Sequence, residues 1–361
     1  MNPATQPTTK EQSASAPAVP AVDPTKARLW KEFKHNSPLI SGRFEPAGRF
    51  VFAGAQDNTI QRWELETGAK TALTGHPSWV RAITVAPSHN LLISGDFHGN
   101  ILFWTMDADT PMPLNTLEAH EGWVRALAVS PDGKTLASCG NDHKVKLWSL
   151  PQGKPLRVLE GHDCHVYNLA YHPSGQHLAS IDHQGNVKHW DLTKGTEVRQ
   201  LDAKVLHKYD PTFRADIGGA RGMEFSPDGG LLACAGITDV TNAFAGIGKP
   251  LVVLFDWQSG KHKHLMRPKT DFRGTCWGVK FHPSGMLIAV GGGAGGALWF
   301  WKPDQAQSFF DFKLPNNARD LDLHVNGTLL AVPFFDSIVR VYDISPPPAK
   351  PEPAPAKPAP K

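Results

Sequence analysis

Apolar residues in this chain come in short runs of alternating or continuous character, separated by tight turns rich in Pro, Gly, Asp and Ser. RALAV (125–129) runs into a SPDG turn and out through TLASC (135–139). Stretches of about five residues bounded by such turns predict strands and not helices. The pattern also repeats itself. WVRA occurs at 79–82 and at 123–126, continuing as WVRAITVAPSHNLLISG and WVRALAVSPDGKTLASC.

The turn inside each copy sets the register. It reads FEPAGRFV from Phe44, VAPSHNLL from Val85, VSPDGKTL from Val129 and YHPSGQHL from Tyr171. FSPDGGLL from Phe225, FHPSGMLI from Phe281 and LHVNGTLL from Leu323 complete a set of seven, at intervals of 41, 44, 42, 54, 56 and 42 residues. Proline presets φ at six of the seven bends, Val325 standing in its place in the last, and Asp, Ser or Gly supplies the reversal. Each copy then ends in an aromatic strand: TIQRWEL, ILFWTM, VKLWSL, VKHWDL, VVLFDW, LWFW and VRVYDI. Self-similarity with this period is the mark of a repeat architecture.

These residues resemble the WD-repeat family of β-propellers. Gly75-His76 and Gly161-His162 match its opening pair, which drifts to Ala119-His120 and Lys34-His35. Trp190-Asp191 keeps the closing pair; elsewhere it reads Trp63-Glu64, Trp104-Thr105, Trp148-Ser149 and Tyr342-Asp343. The resemblance covers residues 29–344. It implies an all-β fold, a seven-bladed β-propeller of four-stranded antiparallel blades. LWKEF (29–33) precedes the first repeat at a fourth-strand position, and the last repeat ends after VRVYDI without one. The N-terminal strand is therefore expected to complete the seventh blade and cover its edge.

The family's internal His–Ser–Asp–Trp network is expected in repeat three as His120, Ser138, Asp142 and Trp148. His98 and Gln184 are expected to stand where repeats two and four would need the Asp. A satisfied polar network inside a blade explains this set better than a hydrolytic triad.

Composition narrows the classes. With 40% hydrophobic and 20% charged residues, the chain has a globular profile. No apolar run approaches the roughly 18 residues of a membrane span, and the polar N-terminus has no signal-like apolar core. Of the net charge of +3, residues 1–28 contribute +1 and residues 345–361 contribute +2. The body is then near neutral, which argues against nucleic-acid binding. Both ends, residues 1–28 and the Pro/Ala/Lys tail 345–361, are expected to be disordered, with the tail extended. Cys139, Cys164, Cys234 and Cys276 form no CxxC pair, which favours reduced thiols, a cytoplasmic setting and no zinc site.

Other motifs have ordinary readings. GGGAGG (291–296) fits G-x-G-x-x-G, but an aromatic strand follows where a dinucleotide site needs a helix N-terminus. A blade turn is the expectation. Asp163-Cys164-His165 and His262-Lys263-His264 have no second cluster at metal spacing, so neither a metal nor another cofactor is expected. Residues 200–218 and 237–249 account for the two long intervals. They are expected as functional loops of blade five on one face, holding Tyr209, Phe213 and Phe244.

WVRA repeats partly because blades repeat, but its Trp and Arg are not demanded by a strand. Aligned on the turns, one column reads Ile40, Arg81, Arg125, Tyr167, Arg221, Trp277, Arg319. Two residues earlier stand Pro38, Trp79, Trp123, His165, Gly219, Thr275 and Asn317. The resemblance places both columns at the mouth of the channel, on the face of the long loops. Arg, Trp and Tyr dominate binding hot spots, and Arg forks suit carboxylates and phosphates. The expectation is a non-enzymatic protein–protein interaction scaffold, a monomeric ring working inside a larger complex. It would grip an acidic or phosphorylated segment through Trp79, Arg81, Trp123, Arg125, His165, Tyr167, Arg221, Trp277 and Arg319. The alternative is a propeller-based enzyme or small-anion receptor at the same mouth, for which only His165 offers a base.

Overall fold

The computed structural model describes residues 19–242 and 247–347. Seven four-stranded antiparallel sheets succeed one another, and in the first six the strands pair in chain order. The seventh closes the ring as expected. Arg28–Lys34 pairs with Ile338–Asp343, Phe33 opposite Val339, so the outermost strand of the last blade comes from the start of the chain. Arg28 bonds to Asp343, and Arg340 to Glu32 at 2.8 Å, across this seam.

There is no single core. Seven apolar clusters are described, each lying between two neighbouring blades. The middle strands are buried on both faces, as in Phe50–Ala55, where every side chain is buried. This is why those segments read as continuous apolar runs rather than clean alternation. Trp63 and Phe33 pack beside Leu39 and Val341 at the closing seam.

The chain folds onto the ring before residue 28. Pro24–Lys26 forms a short 3-10 turn capped by Asp23, whose amide donates to the Ile344 carbonyl at 2.8 Å. Val22 and Ala27 pack into the cluster between blades six and seven. Residues 1–18 and 348–361, most of the two expected tails, lie outside the described residues.

The network of repeat three is present. The Trp148 indole donates to Ser138 Oγ at 2.9 Å, Ser138 meets His120 Nε2 at 2.7 Å, and His120 Nδ1 meets Asp142 at 2.8 Å. Repeats two and four correct the sequence expectation, because both are complete. Asp96 and Asp182, at the ends of their second strands, reach His76 and His162 at 2.8 and 3.0 Å. His98 and Gln184 do not replace the acid; their backbone amides donate to it. In repeat three the matching position is Gly140, where a Cβ would strike the His120 ring at 2.9 Å, so the acid comes from the next turn. Two positions thus deliver one carboxylate to the same imidazole.

The proton inventory of these networks closes with a neutral imidazole: Ser O–H donates to Nε2 and Nδ1–H donates to Asp. Burial pushes His120 below its ordinary value against the pull of Asp142. Burial alone would raise Asp96, but the His76 and Asn100 hydrogen bonds outweigh it and hold the carboxyl low.

GGGAGG is a blade hairpin. Gly293 faces Gly295, and the aromatic strand Gly295–Trp301 continues from it directly. Gly295 has φ 102°, and a Cβ at Gly296 would collide with the Asn316 carbonyl. Close approach between backbones explains the run.

Candidate functional site: an arginine and aromatic ring at the channel mouth

The WVRA motif becomes local geometry. In blade two the register shifts between Val80 and Ala82, and in blade three between Val124 and Ala126. The valines are fully buried, and the arginine between each pair is the extra residue of a β-bulge. The same shift occurs at Ile40, Tyr167 and Trp277. A bulge re-aims a side chain that would otherwise track the pleat. Arg221 and Arg319 precede shorter innermost strands, anchored by their amides to the carbonyls of Ala235 and Pro333.

The re-aimed side chains build an alternating ring. Arg125 lies 4.1 Å from the Trp123 ring centre and 4.3 Å from that of Tyr167. Arg221 lies 4.5 Å from Tyr167 and 5.4 Å from Trp277. Arg319 lies 4.7 Å from both Trp277 and Phe335, and Arg81 approaches Trp277 at 5.7 Å. Cations stacked on aromatic faces are held in place while their N–H edges stay available.

Among the described residues, none of these four arginines forms an ion pair with a carboxylate. Arg125 Nε donates to Asn141 Oδ1 at 2.7 Å, and Arg81 has only a 3.5 Å contact to the Ile40 carbonyl. Arg221 Nε and Arg319 Nε are buried without a hydrogen-bond partner. Burial, and then the neighbouring Arg221 and Arg125, push Arg81 down to about 10. Arg125 falls to about 10, chiefly through burial. Burial would raise Tyr167, but Arg221 and Arg125 bring its phenol below the ordinary value. The mouth is a positive, partly desolvated site whose charge nothing in the ring neutralises.

Beside the arginines lies an aromatic shelf. Phe97 stacks on Trp123 at 3.7 Å and sits 5.5 Å from Trp79, which is 42% exposed. Trp79, Arg81, Trp123, Arg125, Arg221, Trp277 and Arg319 line one mouth cavity of about 180 Å³. Two residues of the expected set stand apart from that lining. Tyr167 is wedged between Arg125 and Arg221, and His165 bonds the Asn141 carbonyl at 2.8 Å. Its ring also lies edge-on to His143, centres 5.3 Å apart.

Phe97, Phe335, Gln56 and His183 were not among the expected residues. They share one column, at equal distance from Val85, Leu323, Phe44 and Tyr171. Their amides donate to the carbonyls of Trp79, Asn317, Pro38 and His165. In each of these four blades one backbone bond therefore ties this column to the mouth column, a relation the repeat alignment contains.

Below the arginines the channel changes character. A larger cavity of about 540 Å³ is lined by the arginine tier and by Arg43, Glu224, Lys280 and Asp320. Arg43 pairs with Asp320 at 2.7 Å, and Lys280 with Asp322 at 3.1 Å and Glu224 at 3.4 Å. These charges compensate one another.

Both long segments of blade five fold as hairpins. His207–Asp210 pairs with Ala215–Gly218, and Leu231–Asn242 with Ile247–Asp256. Lys208 Nζ reaches the Val240 carbonyl at 2.8 Å, so the two lie together. His183 connects the first to the mouth, stacked 4.7 Å from Tyr167 and 6.3 Å from His207. Tyr209 and Phe213 are about half exposed; Phe244 lies outside the described residues. Among the described residues no group of three or more His, Cys, Asp or Glu is placed to hold a metal, and no helix is long and apolar enough to cross a membrane.

Comparison with known proteins gives the family. The family described as "WD domain, G-beta repeat" matches residues 69–105, 111–149 and 153–191. The chain is 24% identical over 103 residues to an uncharacterized WD repeat-containing protein of Schizosaccharomyces pombe, covering 28% of each chain. It is 27% identical over 135 residues to the probable cytosolic iron-sulfur protein assembly protein 1 of Candida glabrata, covering 34% of this chain and 40% of that one. It is 33% identical over 63 residues to the nuclear distribution protein nudF 1 of Talaromyces marneffei, covering 18% and 14%. The matched stretches thus span less than half the length of these relatives. Three repeats match the family directly, the other four blades share their strand order, and all seven close into one ring: the chain is a WD-repeat β-propeller.

Proposed function

We propose that this protein is a non-enzymatic interaction scaffold whose channel mouth grips an acidic or phosphorylated segment of a protein partner. The observation that carries the reading is four arginines in one tier with no carboxylate partner among the described residues. An uncompensated, partly buried cluster of cations is costly to fold and gains most from an anion brought by a partner. Trp79, Phe97 and Trp123 would be apolar anchors beside it, and the blade-five hairpins a lip that narrows the choice of partner. Relatives named for iron-sulfur assembly and nuclear distribution fit a fold reused in different assemblies. A cytoplasmic setting goes with the cytosolic relative and the four unpaired cysteines.

The test is a titration of the full chain with a hexaglutamate peptide, monitored by tryptophan fluorescence at two salt concentrations. Saturable, salt-weakened binding that Arg221→Gln reduces at least tenfold is expected. Binding indifferent to Arg221 would count against the mouth. The enzyme alternative would rest on His165 alone, whose described hydrogen bond is to the Asn141 carbonyl.

A further inference from the structure

A mouth that binds acidic or phosphorylated segments leaves the anion open between a carboxylate and a phosphate. Resting on that function, we propose that the arginine tier is a pocket for a phosphate monoester carried on a partner side chain, entered from the mouth and from that side only.

Stoichiometry favours the phosphate. A carboxylate brings one charge and two oxygens, which one guanidinium fork satisfies. Seated among the half-buried Arg81, Arg125, Arg221 and Arg319, it would leave most of the tier's positive charge uncompensated. A phosphate monoester brings about −1.5 to −2 charges and three strong acceptor oxygens. That matches a tier in which Arg221 Nε and Arg319 Nε are buried and unpartnered. Orientation favours it too. Each of Arg125, Arg221 and Arg319 is stacked on Trp123, Tyr167, Trp277 or Phe335, so ring faces hold the cations; Arg125 spends Nε–H on Asn141, Arg125 and Arg221 also meet the Tyr167 hydroxyl, and the remaining N–H groups are left for a ligand.

Charge fixes the side of entry. Below the tier, three carboxylates (Glu224, Asp320 and Asp322) meet only two cations, Arg43 and Lys280. That lower tier is already paired and offers a dianion no free cation, so it draws none in from the far end and lets none pass on from the mouth. The aromatic shelf of Trp79, Phe97 and Trp123 then lies where the residue bearing or flanking the phosphate would rest.

The experiment compares phenyl phosphate, inorganic phosphate and phenylacetate by calorimetry on the full chain, from pH 5 to 7.5. Wild type, Arg221→Gln and Arg221→Lys are used, the last guarding against a misfolded variant. Phenyl phosphate is expected to bind at least tenfold tighter than phenylacetate. Its affinity should rise severalfold through the second phosphate ionisation near pH 6, and fall tenfold or more in Arg221→Gln. Inorganic phosphate binding as tightly as phenyl phosphate would overturn the ester assignment in favour of a free-anion receptor. Phenyl phosphate no tighter than phenylacetate, with no pH step, would overturn the proposal outright. In that case hexaglutamate separates the readings: retained, Arg221-dependent binding leaves the acidic-segment reading standing, and its absence removes both.

Discussion

Phe97 lies flat against Trp123, ring centres 3.7 Å apart and planes 9° apart, although the two residues belong to neighbouring blades. Their contact joins two columns of the repeat, the turn after the second strand and the entry to the next innermost strand. It turns isolated mouth residues into a continuous shelf reaching Trp79. Phe97→Ala is expected to weaken partner binding about tenfold, as loss of a hot-spot aromatic does. Its stability cost should stay near the ~1 kcal/mol of a stacked pair. Paired binding and thermal-melt measurements check both numbers; a large stability loss with unchanged binding would make the shelf structural.

The buried networks make the opposite prediction. His120→Ala leaves Ser138 and Asp142 without their shared partner inside the blade, and should cost about 1–3 kcal/mol. Binding at the mouth should survive in the folded fraction. The same substitution at His76 or His162 should cost a similar amount, because each has its own serine, acid and tryptophan. Urea unfolding of the three variants measures this, and no change in midpoint would contradict it.

Acid should destabilise the ring before its carboxylates titrate. His189 is 6% exposed, neither of its ring nitrogens has a hydrogen-bond partner, and burial followed by His177 pushes it down to about 4. A group depressed in the folded state favours folding above its unfolded pKa of about 6.5 and loses that contribution as pH falls. The loss from His189 alone should reach about 2 kcal/mol by pH 5. The gap between stability at pH 7 and at pH 5 should therefore be smaller in His189→Gln than in the wild type, with His183, which burial likewise pushes down to about 4, supplying part of what remains. Equal pH dependence in the two would refute the assignment.

The arginine ring should trade stability for binding. Arg81 is half-buried, has no ion pair among the described residues and faces Arg221 and Arg125. Arg81→Gln removes like-charge repulsion, so stability is expected to hold or to rise by up to about 1 kcal/mol. Affinity for hexaglutamate should fall. Differential scanning calorimetry beside the titration reads both; a stability loss above about 2 kcal/mol would show Arg81 to be a structural residue.

What the sequence made legible was whatever recurs. The turns from Phe44 to Leu323, the closing strand ahead of His35 and the Arg81–Arg319 column all come from one alignment, because each blade solves the same packing problem. Asp96 and Asp182 were missed because a strand end and a turn reach the same imidazole through space, which no single alignment column records. Phe97, Phe335 and His183 stood in a readable column, but their meaning came from which carbonyl each amide meets. The Arg43–Asp320 pair joins the first blade to the last. Non-periodic pairs of this kind become visible only once the ring is closed.

The most direct test of the mouth as the partner site is a comparative affinity capture from native lysate. The baits are the wild-type chain and a folded Trp123→Ala, Arg125→Glu double variant. The account predicts that a defined set of partners, recovered with the wild type, is lost from the variant. Identical partner sets from both baits would contradict it and move the binding surface away from the arginine ring.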